Sequence, residues 1–212
     1  MIYLIGGPPK CGKTTLAKKI SKQFGIPWVS SDALQGIVRK YLSKHLTKKD
    51  FDKLFPHTAS KGKTNDETYA KSSTVEIVKN YTQQARATYN AIVAFCESEL
   101  ADGNDYIVEG YHVTPELVSK LKKEYGSNKF SAVFLVKENP TQLLKDIHKS
   151  STPNDWIIAR TEKQETFERI VEMICLYGKY FVKEAKKYRL PVVVMDNSFA
   201  TRLREVERQL GL

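Results

Sequence analysis

Residues 7–14 read Gly7-Pro8-Pro9-Lys10-Cys11-Gly12-Lys13-Thr14, and this octapeptide restricts the possible folds more than any other stretch. It satisfies every fixed position of the pattern G-x-x-x-x-G-K-[S/T]. Ahead of it, the apolar run Ile2 to Ile5, bounded by Gly6-Gly7, suits a central strand covered on both faces. Behind it, Leu16, Ile20 and Phe24 recur at helical spacing from Lys13 to Phe24, and Gly25 stands where a helix C-cap belongs. A strand entering and a helix leaving a glycine-rich turn make a cradle for phosphate. The glycines let backbone N–H groups converge on the oxygens, and the helix N-terminus adds partial positive charge. Lys13 would reach the terminal phosphates, and the Thr14 hydroxyl would sit on Mg²⁺, a hard ion that prefers oxygen. Gly7, Pro8, Pro9, Lys10, Cys11, Gly12, Lys13, Thr14 and Thr15 are therefore the expected nucleotide-binding residues, with ATP and Mg²⁺ as cofactors. Cys11, at a helix N-terminus, is expected to have a lowered thiol pKa and to oxidise readily.

Four further apolar runs alternate with helical patterns. Pro27 to Ser30 reads as a second strand, and Ser31 or Asp32 can cap the helix carrying Leu34, Ile37, Val38 and Leu42. Residues 43–72 are polar, lysine-rich and weakly periodic, which predicts a mobile insertion or substrate lid. Ser73-Thr74-Val75-Glu76 has capping-box spacing and opens one long helix running to Asp102-Gly103. Tyr106 to Val108 is the third strand, Thr114-Pro115 a helix start, Phe130 to Val136 the fourth strand, and Asn139-Pro140 another helix start. A polar stretch in 149–162 predicts a second lid before a long helix from about Glu162 to Tyr188. Pro191 to Met195 is the fifth strand, and Ser198 to Leu210 a closing helix. The pattern predicts an α/β fold of three layers, a five-stranded parallel sheet with helices on both faces, in a single domain over 1–212.

No apolar run approaches the ~20 residues that cross a bilayer, and Met1 to Gly7 reads as a strand rather than a signal peptide. Three widely separated cysteines suit a reducing cytoplasm. The net charge of +10 points to phosphate-bearing metabolites or nucleic acid. The lysines are scattered, and aromatic residues are not interleaved with a basic stripe, so nucleic acid is not favoured.

With loop and sheet in view, the chain resembles the small-molecule branch of the P-loop kinases. It is most similar to 2-phosphoglycerate kinase and zeta-toxin-like members, and more distantly to adenylate and shikimate kinases. Ser30-Ser31-Asp32 with Arg39 seven residues on, and Glu109-Gly110-Tyr111-His112-Val113-Thr114-Pro115 after the third strand, carry the likeness, as does Arg160 ahead of the long helix. Gln35 departs from it, standing where a further acceptor-binding arginine is expected.

The resemblance implies a three-layer P-loop NTPase fold and transfer of the ATP γ-phosphoryl group to a small hydroxyl- or phosphate-bearing metabolite. The alternatives are a nucleoside monophosphate or nucleic-acid 5′-end kinase, and an ATP-binding regulatory or toxin-type module. Phosphoryl transfer needs alignment and charge neutralisation. Lys13, Asp32 and Arg160 are the catalytic candidates, with Asp32 as base, Ser30 or Ser31 then taking over the helix cap, or as the cap itself, and Arg160 as clamp on the moving group. Glu109 is expected to hold a Mg²⁺ water, fix the acceptor, or serve as a plain structural acid. Arg39 is either an anchor for an anionic acceptor or a surface arginine. His112 is either a ligand contact or a turn histidine, Arg169 a structural residue or an aid to the clamp, and Asp196-Asn197 an adenine edge or a helix cap.

Overall fold

The computed structural model describes residues 1–150, 155–196 and 199–212. Its centre is β1 (Ile2–Gly6), buried along its whole length. Because successive side chains of a strand point to opposite faces, full burial means that both faces are covered. The order is β2 (Trp28–Ser30), β3 (Tyr106–Glu109), β1, β4 (Phe130–Val136) and β5 (Val192–Val194), and every pairing is parallel. Parallel neighbours need crossovers, and helices supply them. Ile2, Leu4 and Ile5 are fully buried, each contributing on the order of 1.5–3 kcal/mol.

The first crossover is α1 (Lys13–Phe24), bounded by the left-handed Gly12 and Gly25. The second helix, α2 (Ser31–Leu42), is capped by the Ser30 side chain, which accepts the Asp32 backbone N–H. Of the three candidate caps it is Ser30, rather than Ser31 or Asp32, that holds the extended conformation capping needs. This leaves the Asp32 carboxylate available for other contacts.

The loose segment expected over 43–72 is largely helical: α3 (Lys48–Leu54), α4 (Pro56–Ser60) and α5 (Asn65–Lys71). Polar N-caps at Thr47 and Thr64 start two of them, and Phe55 and Tyr69 are buried. The helices are too short to show an apolar period, so their order comes from packing. The long helix expected from Ser73 is two helices, α6 (Thr74–Arg86) and α7 (Tyr89–Ala101). Neither Ala87 nor Thr88 is a residue that breaks helices, and the apolar spacing runs on across them. Thr88 is fully buried and lies beside the Gln35 amide, so tertiary contact accompanies the break.

The rest follows the expected order: α8 (Pro115–Tyr125) capped by Thr114, α9 (Pro140–His148) capped by Asn139, α10 (Gln164–Lys187) and α11 (Phe199–Leu210). The proposed start at Ser198 lies outside the described residues, as does Asn197. Among the described residues no helix is long and apolar enough to cross a membrane.

Candidate active site

The sheet register sets the site. Ser30 and Ile5 both stand opposite Glu109, so β2, β3 and β1 end abreast, immediately before the phosphate loop. Ligands of open parallel sheets bind at this carboxyl edge. Gly7 turns with φ +131°, and a Cβ there would lie 2.1 Å from the Leu135 carbonyl. The loop thus lies against β4 in a way that only glycine permits. Lys13 is buried, and its ammonium donates to the Pro8 carbonyl at 2.6 Å, folded back over the loop. Lys10, with φ +63°, pairs with the buried Asp155 carboxylate. That pair links the phosphate loop to the second expected lid, of which 151–154 lie outside the described residues.

Thr14 donates its hydroxyl to Glu109 Oε1 at 2.9 Å. Glu109 is buried, and its pKa is raised by desolvation, against which Lys13 and the Thr14 bond pull. Two hard oxygen donors therefore sit side by side next to Lys13. Among the described residues no cluster of three or more His, Cys, Asp or Glu could hold a metal unaided. This donor set fits Mg²⁺, which binds through one or two protein oxygens and completes its shell with waters and substrate phosphates.

Asp32 opens into the cavity that Lys13, Thr14 and Glu109 also line. Its side chain is 68% exposed into that groove, yet the surrounding walls raise its pKa by desolvation while Lys13 lowers it. Behind it, Ser31, Gln35 and His112 are buried in one network. The Gln35 amide donates to His112 Nε2 at 2.6 Å, which puts the imidazole proton on Nδ1, 2.8 Å from Ser31 Oγ. Desolvation, then Lys13, takes His112 down to about 3, so it is neutral. His112 Nδ1 lies 3.7 Å from Asp32 Oδ1. Gln35 also reaches Tyr111 OH at 3.1 Å, as does Gln84. Gln35 is thus a buried hydrogen-bonding residue, and beyond the loop residues Lys10 and Lys13 the positive charge lining the cavity comes from Arg39 and Lys61. Spacing hints at Gln35 only through its place one turn after Ser31; Lys61, Gln84 and Asp155 carry no sequence signal.

The other candidates are distributed as follows. Arg39 lines the Asp32 cavity. Arg160 donates to the carbonyls of Gly62 and Lys63, and Arg169 to those of Tyr69 and Ser72, closing the end of α5. Asp196 accepts the Glu138 and Asn139 backbone N–H groups at 3.1 and 3.0 Å, ahead of α9. Cys11 differs from expectation: it is fully buried, and desolvation pushes its thiol up to about 11. Burial outweighs the helix terminus there. A second cavity, of about 630 Å³, lies on the other side of the loop, bounded by Gly12, Thr15, Lys18, Asp146 and Ser150.

The model of the ATPase family associated with various cellular activities (AAA) matches residues 3–108, half of the chain. The chain is 28% identical over 203 residues to the 2-phosphoglycerate kinase of Methanocaldococcus jannaschii, covering 91% of this chain and 58% of that protein. With that of Pyrococcus horikoshii it shares 25% over 198 residues, at the same coverage. The chain thus spans 58% of the length of these curated relatives. Among solved structures, the shikimate kinase of Bacteroides thetaiotaomicron superposes with a TM-score of 0.55 at 13% identity, covering 100% of this chain and 99% of that one. A gluconokinase from Sinorhizobium meliloti gives 0.52 at 14%, covering 99% and 90%. At such identities these two likenesses speak for the fold. The chain belongs to the phosphate-loop ATPase family described by the AAA model, and its architecture is that of the P-loop kinase superfamily.

Proposed function

We propose that this chain is an ATP-dependent phosphotransferase acting on a small metabolite that carries a hydroxyl and an anionic group, with 2-phosphoglycerate the first acceptor to try. One observation carries the reading. A carboxylate of raised pKa, Asp32, faces the same cavity of about 420 Å³ as the phosphate-loop lysine and the Thr14–Glu109 oxygen pair. A small-metabolite pocket has this size.

In the proposed reaction the acceptor hydroxyl oxygen forms a bond to the γ-phosphorus, the bond from that phosphorus to the β–γ bridging oxygen breaks, and ADP leaves. Asp32 accepts the hydroxyl proton, a task for which a raised carboxylate pKa is suited. Lys13 exchanges its contact with the Pro8 carbonyl for phosphate oxygens and neutralises their charge. Thr14 and Glu109 would hold Mg²⁺, which supplies charge neutralisation across the phosphates. His112, itself neutral, and Ser31 keep the wall behind Asp32 fixed. Arg160 is proposed to clamp the transferring group by giving up the Gly62 and Lys63 carbonyls. The free thiols, two of them buried, suit a cytoplasmic setting.

The test is incubation of the pure protein with ATP, Mg²⁺ and a panel led by 2-phosphoglycerate. Transfer is expected, with Asp32→Asn lowering kcat by roughly 10²–10⁴-fold. ATP bound tightly with no acceptor phosphorylated would instead point to a regulatory module.

A further inference from the structure

The helices inserted between 43 and 72 build one wall of the acceptor cavity, and that wall carries charge which the transfer chemistry does not use. Arg39 comes from the last turn of α2, His57 from α4, and Lys61 from just after α4; all three face the cavity that holds Asp32. The His57 ring stacks on Tyr81 at 3.9 Å and 25°. Its Nδ1 is buried without a hydrogen-bond partner, and so is Nε of Arg39. Among the described residues, no carboxylate pairs with Arg39 or Lys61. Burial, then Arg160 and Arg39, lower the Lys61 pKa, and burial, Lys61 and Arg39 bring His57 to about 4. Burial is the larger cause in both, and the neighbouring positive charges add to it.

Buried donors without partners cost free energy, and so do clustered like charges, unless a ligand supplies the missing oxygens. Resting on the reading of this chain as a kinase, we propose that Arg39, His57 and Lys61 form a subsite for a phosphate monoester already present on the acceptor, apart from the hydroxyl that Asp32 activates. Two cations match a dianion. The arginine fork, the lysine ammonium and the imidazole N–H offer three separate directions for three terminal oxygens, whereas a carboxylate offers two oxygens and one charge. The specificity-determining wall is then built jointly by the end of α2 and the insertion, and Gln35, placed where an arginine is expected, is free to position His112.

The test measures binding without turnover. 2-Phosphoglycerate is titrated calorimetrically into the protein with and without a saturating non-hydrolysable ATP analogue plus Mg²⁺, and D-glycerate serves as the acceptor lacking phosphate. Arg39→Ala should weaken 2-phosphoglycerate by roughly 10–100-fold and the more exposed Lys61→Ala by roughly 3–10-fold, while the affinity for the analogue and for D-glycerate stays within about twofold. Lys61→Arg should recover most of the loss. Undiminished 2-phosphoglycerate binding in both alanine variants overturns the subsite, as does an equal loss for D-glycerate, which would mean a carboxylate reader. Absence of 2-phosphoglycerate binding to the parent protein under both conditions also overturns it. Failure of the analogue itself to bind would refute the kinase reading instead, and the titration without analogue still decides the subsite.

Discussion

Replacing Gly110 with alanine tests the geometry that holds Asp32 in place. Gly110 has φ +144°, and an added Cβ would lie 1.9 Å from Ser31 Oγ and 3.1 Å from Ser31 Cβ. That approach is far inside contact distance, and it falls on the fully buried hydroxyl bonded to His112. The unfavourable backbone conformation costs ~1–3 kcal/mol, and forcing Ser31 aside costs ~1–3 kcal/mol more. About 4 kcal/mol in total is expected, and at ~2–4 °C per kcal/mol for a chain of this size the melting temperature should fall by roughly 8–16 °C. Gly25→Ala is the control. It has φ +70° at the end of α1, but a Cβ there meets nothing within 4 Å, so only the left-handed penalty of ~1–2 kcal/mol applies, roughly 2–8 °C. Thermal unfolding followed by circular dichroism compares the two. Equal destabilisation would refute the claim that Gly110 is required by the close approach of β3 to Ser31, because the backbone term alone would then account for both.

Glu109→Gln should cut phosphoryl transfer by at least ~10²-fold and weaken Mg²⁺, measured by steady-state kinetics at varied Mg²⁺, without lowering the melting temperature. Burial raises the Glu109 pKa, so its ionised form costs stability at neutral pH and that cost is relieved as pH falls through the raised folded-state value. The same desolvation at Asp32 places the acid limb of the kcat/KM–pH profile, which reports the free enzyme, above the ordinary carboxylate range; a limb at the ordinary value would contradict this. In native protein near neutral pH, Cys11 should resist alkylation while the half-buried Cys175 is modified first, as peptide mass spectrometry can show. Arg160→Ala should raise amide exchange at 62–65, around the Gly62 and Lys63 carbonyls that it holds, and an unchanged exchange pattern would remove Arg160 from that role.

What the sequence conveyed best was local. The strand–loop–helix of residues 2–24, the Thr114 and Asn139 caps and the five apolar runs follow from spacing and turn chemistry alone, and the structure places them within a residue or two. Glu109 and Thr14 were separately legible, but their pairing across 95 residues depends on the β1–β3 register, which no local pattern encodes. The α3–α5 segment was hidden because helices of seven, five and seven residues cannot display an amphipathic period. The α6–α7 break was hidden because Thr88 is drawn into the core without a glycine or proline to mark it. Cys11 misled for a related reason: its position in the chain shows a helix terminus, while its burial is a tertiary fact.

Nucleotide titration of Lys13→Ala beside the parent protein, read by calorimetry with Mg²⁺ and a non-hydrolysable ATP analogue, tests the whole account most directly. The buried ammonium now folded onto the Pro8 carbonyl should be the charge that meets the phosphates, so affinity is expected to fall by at least ~30-fold, in line with ~2–5 kcal/mol for a lost buried charge contact. Unaltered affinity in a variant that melts like the parent would contradict it.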